Sequence, residues 1–117
     1  NVGAHAYLAL VELLEEVAPA GALALAQKAV SLSPQSHVGR FAYGLSLLKA
    51  GRLDEAVGNL KMAIDLKGPN TERAWVFLGQ AHYQKGELEQ ARKIWEFTLQ
   101  NNPELEAPRR FLKALPR

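Results

Sequence analysis

The feature that most constrains the fold is a unit of two amphipathic helices between residues 72 and 103. In the first helix, four residues recur at intervals of three and four, which places them on one helical face. These residues are Trp75, Leu78, Gly79 and His82. Gly86 predicts the end of this helix. The same spacing returns in a second helix at Ala91, Ile94, Trp95, Thr98 and Leu99, which Asn101-Asn102-Pro103 ends. The unit therefore predicts a helical hairpin.

The same unit occurs again upstream. A shift of 35 residues towards the N-terminus aligns Gly79 with Gly44 and Ala91 with Ala56, which gives a second copy at about 37–71. The loop at 67–69 accounts for the one residue by which this period exceeds 34. Small residues at such positions allow helices to approach closely, and a larger side chain would push them apart.

A first copy follows from a further shift of 34 residues and covers about 3–36, with helices predicted at 4–17 and 20–32. It is degenerate, because Leu10 stands at the glycine position and the segment 17–19 replaces the glycine turn. Two interpretations are open. Either this copy is a divergent terminal repeat, or the array begins upstream of Asn1 and the chain is a piece of a longer protein.

The third copy spans about 72–105, and a last helix is predicted at about 105–115. Its apolar residues are Leu105, Phe111, Leu112 and Leu115. They can cover the end of the last hairpin, which has no further repeat to pack against. The sequence thus predicts an all-α fold in one domain over 1–117, with three hairpins and a capping helix, seven helices in total.

The third copy resembles the tetratricopeptide repeat, whose pattern is W-x2-L-G-x2-Y, then A-x3-F, then P, with a period of about 34 residues. The matching residues are Trp75, Leu78, Gly79, Ala91 and Pro103, with His82 in place of the tyrosine and Trp95 in place of the phenylalanine. The resemblance implies a right-handed superhelix whose first helices line a concave groove. It also implies a non-enzymatic scaffold for protein–protein interaction.

The resemblance places a stripe of each first helix in that groove. The predicted partner-binding residues are Tyr7, Leu8, Val11, Phe41, Leu45, Leu48, Lys49, Arg73, Val76, Phe77, Gln80 and Tyr83. Such an apolar stripe either binds an extended peptide or an amphipathic helix, or belongs to the core, leaving Phe41 and Phe77 as packing residues. Family members that clamp a chaperone's C-terminal carboxylate use Lys, Asn and Arg here. Apolar residues at those positions disfavour that role.

Composition excludes several classes of protein. Cysteine is absent, so disulfides and thiolate metal sites are excluded, while cytoplasm and periplasm both remain compatible. No apolar run is long enough to span a bilayer, so membrane insertion is not expected. The net charge is only +2, and the excess of basic residues lies in 103–117, so nucleic-acid binding is not expected.

No catalytic or cofactor motif is recognisable. The glycines of Gly39–Gly44 have the spacing of a phosphate loop, but Leu45-Ser46 follows instead of Lys-Ser/Thr. The three histidines, His5, His37 and His82, lack the spacing of zinc ligands. We therefore predict no enzyme activity, no metal and no cofactor.

The sequence supports three functional hypotheses. The first is a scaffold that holds a peptide or amphipathic helix of a partner protein in an apolar concave groove. The second is an accessory or assembly domain of a larger enzyme or secretion complex. The third is a homo-oligomer in which the degenerate first hairpin stacks on another copy, since poorly capped repeat ends favour association.

Overall fold

A computed structural model of the protein describes residues 19–116. The described elements are all α-helices: α1 Pro19–Leu32, α2 His37–Lys49, α3 Leu53–Leu66, α4 Thr71–Gln84, α5 Leu88–Asn101 and α6 Glu106–Ala114. Each helix packs on the next in chain order, and α2 also touches α4. The sequence predicted seven helices, and the first of these, at 4–17, lies outside the described residues.

Glycine ends the first helix of each well-formed hairpin. Gly51 follows α2 with φ 81°, and Gly86 follows α4 with φ 85°. This left-handed conformation strains other residues but not glycine. The turned backbone lets the Gly86 N–H donate to the Tyr83 carbonyl at 3.0 Å, while the next N–H donates to the His82 carbonyl at 2.9 Å. The chain therefore reverses within three residues and begins α5 at Leu88.

A glycine contact sets the separation of the two helices within each hairpin. A Cβ added at Gly44 would lie 2.8 Å from the Leu60 side chain, and one added at Gly79 would lie 2.4 Å from the Trp95 indole nitrogen. Leu60 and Trp95 occupy equivalent places in the two copies. At Gly44 and Gly79, therefore, no side chain larger than hydrogen fits against the facing helix.

The loop between the hairpins is held by His37. Its Nδ1–H donates to the Ala63 carbonyl at 2.8 Å, and its Nε2 accepts from the Asn70 N–H at 3.0 Å. The ring also packs on Gly68, where a Cβ would lie 2.5 Å from the His37 Cδ2. His37 therefore joins the C-terminal end of α3 to the start of α4.

Helix α6 covers the end of the last hairpin. Leu115, just after α6, is buried with Ala91 and Trp95, and Phe111 and Leu112 pack against this cluster. The Phe111 and Trp95 ring centroids are 5.0 Å apart. This contact is the one expected of a capping helix. Within residues 19–116, no helix is both long enough and apolar enough to cross a membrane.

Candidate partner-binding cleft

The predicted stripe divides into parts with very different exposure. Tyr7, Leu8 and Val11 lie outside the described residues. On α2, Phe41, Leu45 and Leu48 are buried, with 0%, 3% and 3% of their surface exposed, whereas Lys49 is exposed. The three apolar side chains belong to the core cluster. Because they have almost no free surface in this conformation, they leave little area for a partner to contact.

Beyond Arg73, which is exposed, the stripe on α4 opens progressively towards the C-terminal end of the helix. Val76 is buried, Phe77 and Gln80 are half-buried, and Tyr83 is 46% exposed. The Phe77 ring packs on Phe41, with centroids 6.0 Å apart. Free aromatic surface on this stripe is therefore concentrated at Tyr83.

An apolar cleft lies beside Tyr83, between α4 and the capping helix. It has a volume of about 140 Å³, and it is lined by Gln80, Tyr83, Trp95, Phe111 and Ala114. The three aromatic rings are in contact. The Tyr83 and Trp95 centroids are 6.1 Å apart, and those of Trp95 and Phe111 are 5.0 Å apart. Aromatic pairs at these separations gain more than their buried area alone provides.

The middle ring of this set is fixed in place. The Trp95 indole N–H donates to the Val76 carbonyl at 3.1 Å, and only 2% of Trp95 is exposed. This carbonyl lies in α4, so one hydrogen bond ties the second helix of the hairpin to the first. The inner wall of the cleft is therefore rigid, while Tyr83 and Ala114 form its exposed edges.

The rim of the cleft carries positive charge. The guanidinium carbon of Arg110 lies 6.0 Å from the centroid of Phe111, one of the lining rings. Further along the stripe, the guanidinium carbon of Arg73 lies 5.3 Å from the centroid of Phe41. Cations at such distances over ring faces are attracted by the ring quadrupole. The described lining residues include no carboxylate.

A separate ionic network fixes the turns of the two hairpins. His82 Nδ1–H donates to Glu87 Oε1 at 2.6 Å, and Lys85 Nζ lies 2.6 Å from Asp54 Oδ1 and 3.6 Å from Glu87 Oε1. The hydrogen bond from His82 lowers the pKa of Glu87, and the hydrogen bond from Lys85 lowers the pKa of Asp54. The network thus joins the first turn of α3 to the turn before α5.

The described histidines are used structurally. His37 bridges the loop between hairpins, and His82 holds Glu87. His82 is buried, as expected for a residue in the tyrosine position of the repeat pattern. Within the described part of the chain, no group of three or more His, Asp or Glu side chains could hold a metal ion.

The family model of the tetratricopeptide repeat matches residues 41–103, which are 63 of the 117 residues. The chain belongs to the tetratricopeptide repeat family. Domains of this family generally mediate protein–protein interaction, and their fold is typical of non-enzymatic interaction modules. The resemblance carried by Trp75, Gly79 and Ala91 is therefore confirmed.

A solved structure supports the same fold. The crystal structure of the Sgt2 TPR domain from Aspergillus fumigatus is similar to this chain with a TM-score of 0.80 and 17% sequence identity. The similarity covers 97% of this chain and 76% of that chain. At this identity it shows the fold alone, and it confirms the predicted all-α tetratricopeptide architecture. No curated protein matches the sequence.

Three lining residues of the cleft were absent from the predicted site: Trp95, Phe111 and Ala114. The prediction used only the first helix of each hairpin, whereas the cleft also takes one residue from α5 and two from α6. The helical spacing of Phe111 and Ala114, three residues apart, could have indicated a shared face of the capping helix.

Proposed function

We propose that this domain is a scaffold that binds a segment of a partner protein, an extended peptide or an amphipathic helix, on the face formed by the first helices. The observation that supports this proposal is the cleft beside Tyr83. It combines an exposed tyrosine with a rigid aromatic wall, and its five described lining residues carry no charged side chain. A partner would place one apolar side chain, the anchor, into the cleft.

The size of the cleft favours a side chain over a small-molecule substrate. Drug-sized ligands occupy pockets of roughly 300–1,000 Å³, whereas this cleft has about 140 Å³. An engineered apolar cavity of about 150 Å³ accepts benzene. The cleft is therefore suited to one Phe or Leu side chain, whose burial contributes about 1.5–3 kcal/mol.

The rest of the partner segment would follow the stripe along α4. Gln80, one of the lining residues of the cleft, offers both a donor and an acceptor to a main chain. Val76 and Phe77 continue the stripe with small apolar areas. We expect an affinity near micromolar, which corresponds to about −8 kcal/mol. Phe41, Leu45 and Leu48 would support this surface from within the core.

Site-specific photo-crosslinking tests the proposal. Tyr83 is replaced by p-benzoylphenylalanine. This variant is expressed in cells of the source organism, and the cells are irradiated. Phe97 provides a matched control, because it is equally exposed, at 45%, and packs on Trp75 on another side of the hairpin. We expect a discrete crosslinked protein from position 83 and none from position 97.

Two controls make the result specific. Replacing Ala114 by Trp fills the cleft from its exposed edge and should abolish the crosslink at position 83 while leaving the helical circular dichroism spectrum unchanged. Crosslinking from position 97 alone, or from position 83 with the cleft filled, would contradict the proposed site.

A further inference from the structure

We infer that the protein has a second binding site, which takes a neutral aromatic group with one hydrogen-bond donor on its edge, such as an indole or a phenol. The site is a cleft of about 290 Å³ lined by residues of α3, α4 and α5, and we call it the α3–α5 cleft. It is about twice as large as the cleft beside Tyr83. Its volume lies just below the range of roughly 300–1,000 Å³ that is typical of small-molecule sites.

The two clefts lie on different faces of α4. Trp75, Leu78 and His82 line the α3–α5 cleft, whereas Gln80 and Tyr83 line the first cleft. Successive residues of an α-helix are turned by about 100° around its axis, so the mean directions of these two groups differ by more than a right angle. The α3–α5 cleft is therefore a separate site, and the inference does not depend on the function proposed above.

A buried histidine nitrogen indicates what this cleft binds. His82 is only 8% exposed, and it is one of the lining residues. Its Nδ1–H donates to Glu87 Oε1 at 2.6 Å, so Nε2 of the neutral ring is an acceptor. Nε2 is buried, yet no described residue donates a hydrogen bond to it. A buried acceptor without a partner is unfavourable, and a ligand that brings an N–H or O–H to Nε2 removes that cost.

The ligand must open a way to this nitrogen, because Nε2 has almost no free surface in the unliganded protein. Gln90, a lining residue on α5, is exposed, and its side chain makes no hydrogen bond with any described residue. It can therefore move without losing a contact of that kind. Side-chain rearrangements on this scale are common when a site is occupied.

The rest of the lining favours a flat, neutral ring. Leu78 and Ile94 are buried and give the cleft an apolar wall, and the half-buried Trp75 offers an aromatic surface that a ligand ring can pack against. Lys61 and Asp65 carry opposite charges, are both exposed, and lie one turn apart on α3. Because these two charges largely offset each other, the lining selects neither an anion nor a cation.

An NMR titration of the ¹⁵N-labelled full chain tests the inference. Indole is the probe, and benzofuran is its matched control, because it has nearly the same shape and lacks the N–H. Trp75 lines the α3–α5 cleft and Trp95 lines the first cleft, so their indole N–H signals report on the two sites separately. We expect indole to shift the Trp75 signal saturably and to bind about three- to tenfold more tightly than benzofuran, the gain of one net hydrogen bond. The ¹⁵N resonance of His82 Nε2 should move with indole only.

Three variants assign the response to one cleft. Ala114→Trp fills the cleft beside Tyr83 and should leave the Trp75 shift unchanged. Gln90→Phe fills the α3–α5 cleft from its exposed edge and should abolish that shift. Glu96→Phe is the matched control, because Glu96 is exposed on the same helix and is not among the lining residues. This variant should bind indole as the parent does.

A capped pentapeptide with a central tryptophan distinguishes the two sources of an indole. Binding as tight as that of indole would assign the cleft to a side chain of a protein partner, and binding of indole alone would assign it to a free small molecule. The absence of a saturable Trp75 shift, or a shift that survives Gln90→Phe, would overturn the site. Equal affinities for indole and benzofuran would overturn the hydrogen bond to His82 and with it the inferred class of ligand.

Discussion

Gly79→Ala tests the closest contact of the fold. The added Cβ would lie 2.4 Å from Nε1, 2.7 Å from Cδ1 and 2.8 Å from Cε2 of the Trp95 indole. Real Cβ atoms essentially never come closer than 3.0 Å to such neighbours, so the ring must move. Trp95 is only 2% exposed and is hydrogen-bonded to the Val76 carbonyl. The indole is rigid, so it cannot yield by rotating a terminal group.

The expected loss of stability combines two costs and one smaller gain. Overpacking a core contact costs about 1–3 kcal/mol. Displacing the indole leaves a buried N–H without its partner, which costs a further 1–3 kcal/mol or so. Alanine is better than glycine within a helix by about 0.8–1.0 kcal/mol. We therefore expect Gly79→Ala to lower the free energy of unfolding by about 2–4 kcal/mol and the melting temperature by roughly 10 °C.

Two other glycines provide a graded comparison with the same substitution. Gly58 lies within α3, and a Cβ built there meets nothing within 4 Å, so Gly58→Ala should stabilise the protein by about 0.5–1 kcal/mol. At Gly44 the Cβ would lie 2.8 Å from Leu60 Cγ and 3.1 Å from the Leu60 backbone nitrogen. The Leu60 side chain can adjust more easily than an indole ring, whereas its backbone cannot. The cost of Gly44→Ala should therefore lie between the other two.

Urea unfolding, monitored by circular dichroism, measures the stability of all three variants. The free energy of unfolding is obtained by linear extrapolation. The expected order of stability is Gly58→Ala above the parent, then Gly44→Ala, then Gly79→Ala. If Gly79→Ala were as stable as the parent, or gained stability as Gly58→Ala should, then the glycine would not be needed for close helix packing.

Three further predictions follow from other contacts. His37→Ala should cost about 2–3 kcal/mol in urea unfolding, because it removes two buried hydrogen bonds, one of them from the Asn70 N–H; an unchanged midpoint would contradict the bridge. The pKa of Asp54 is held below its ordinary 3.8 by Lys85, so this pair stabilises the fold above that pH and the gain is lost as the pH falls through the lowered pKa. Lys85→Met should accordingly reduce the fall in unfolding free energy between about pH 4.5 and pH 2, and an identical pH profile would refute the coupling. Phe111→Ala should cost about 1–3 kcal/mol, since the ring is half-buried, and should shift tryptophan emission to longer wavelength; unchanged emission would mean that the capping helix does not shield the indole.

The repeating part of the fold was predictable because its causes are local. Gly51 and Gly86 end their helices through a backbone conformation that other residues avoid, and Gly44 and Gly79 mark close approaches at a fixed spacing. These effects depend on residues within one hairpin. The sequence pattern therefore indicated both the hairpins and the capping helix.

The non-local features were harder to infer. The sequence locates one extra residue in the loop at 67–69 but indicates no contact for it, whereas in the structure this loop holds Gly68 against the buried His37 ring. The exposure of the stripe also depends on packing between helices. Phe41 and Tyr83 are both aromatic residues of the predicted stripe, yet 0% and 46% of their surfaces are exposed. Likewise, the contribution of Phe111 to the cleft depends on where α6 docks. The predicted binding roles of the stripe residues remain predictions.

The indole N–H signals of the two tryptophans test the central claim most directly. Trp95 lines the cleft, whereas Trp75 packs on Phe97 with ring centroids 5.0 Å apart. An NMR titration of ¹⁵N-labelled protein with a peptide that requires the open cleft reports on both sites in one spectrum. A partner anchored beside Tyr83 should shift the Trp95 signal and leave the Trp75 signal in place. A shift of Trp75 alone would place the partner on the other face of the hairpin and contradict the proposed function.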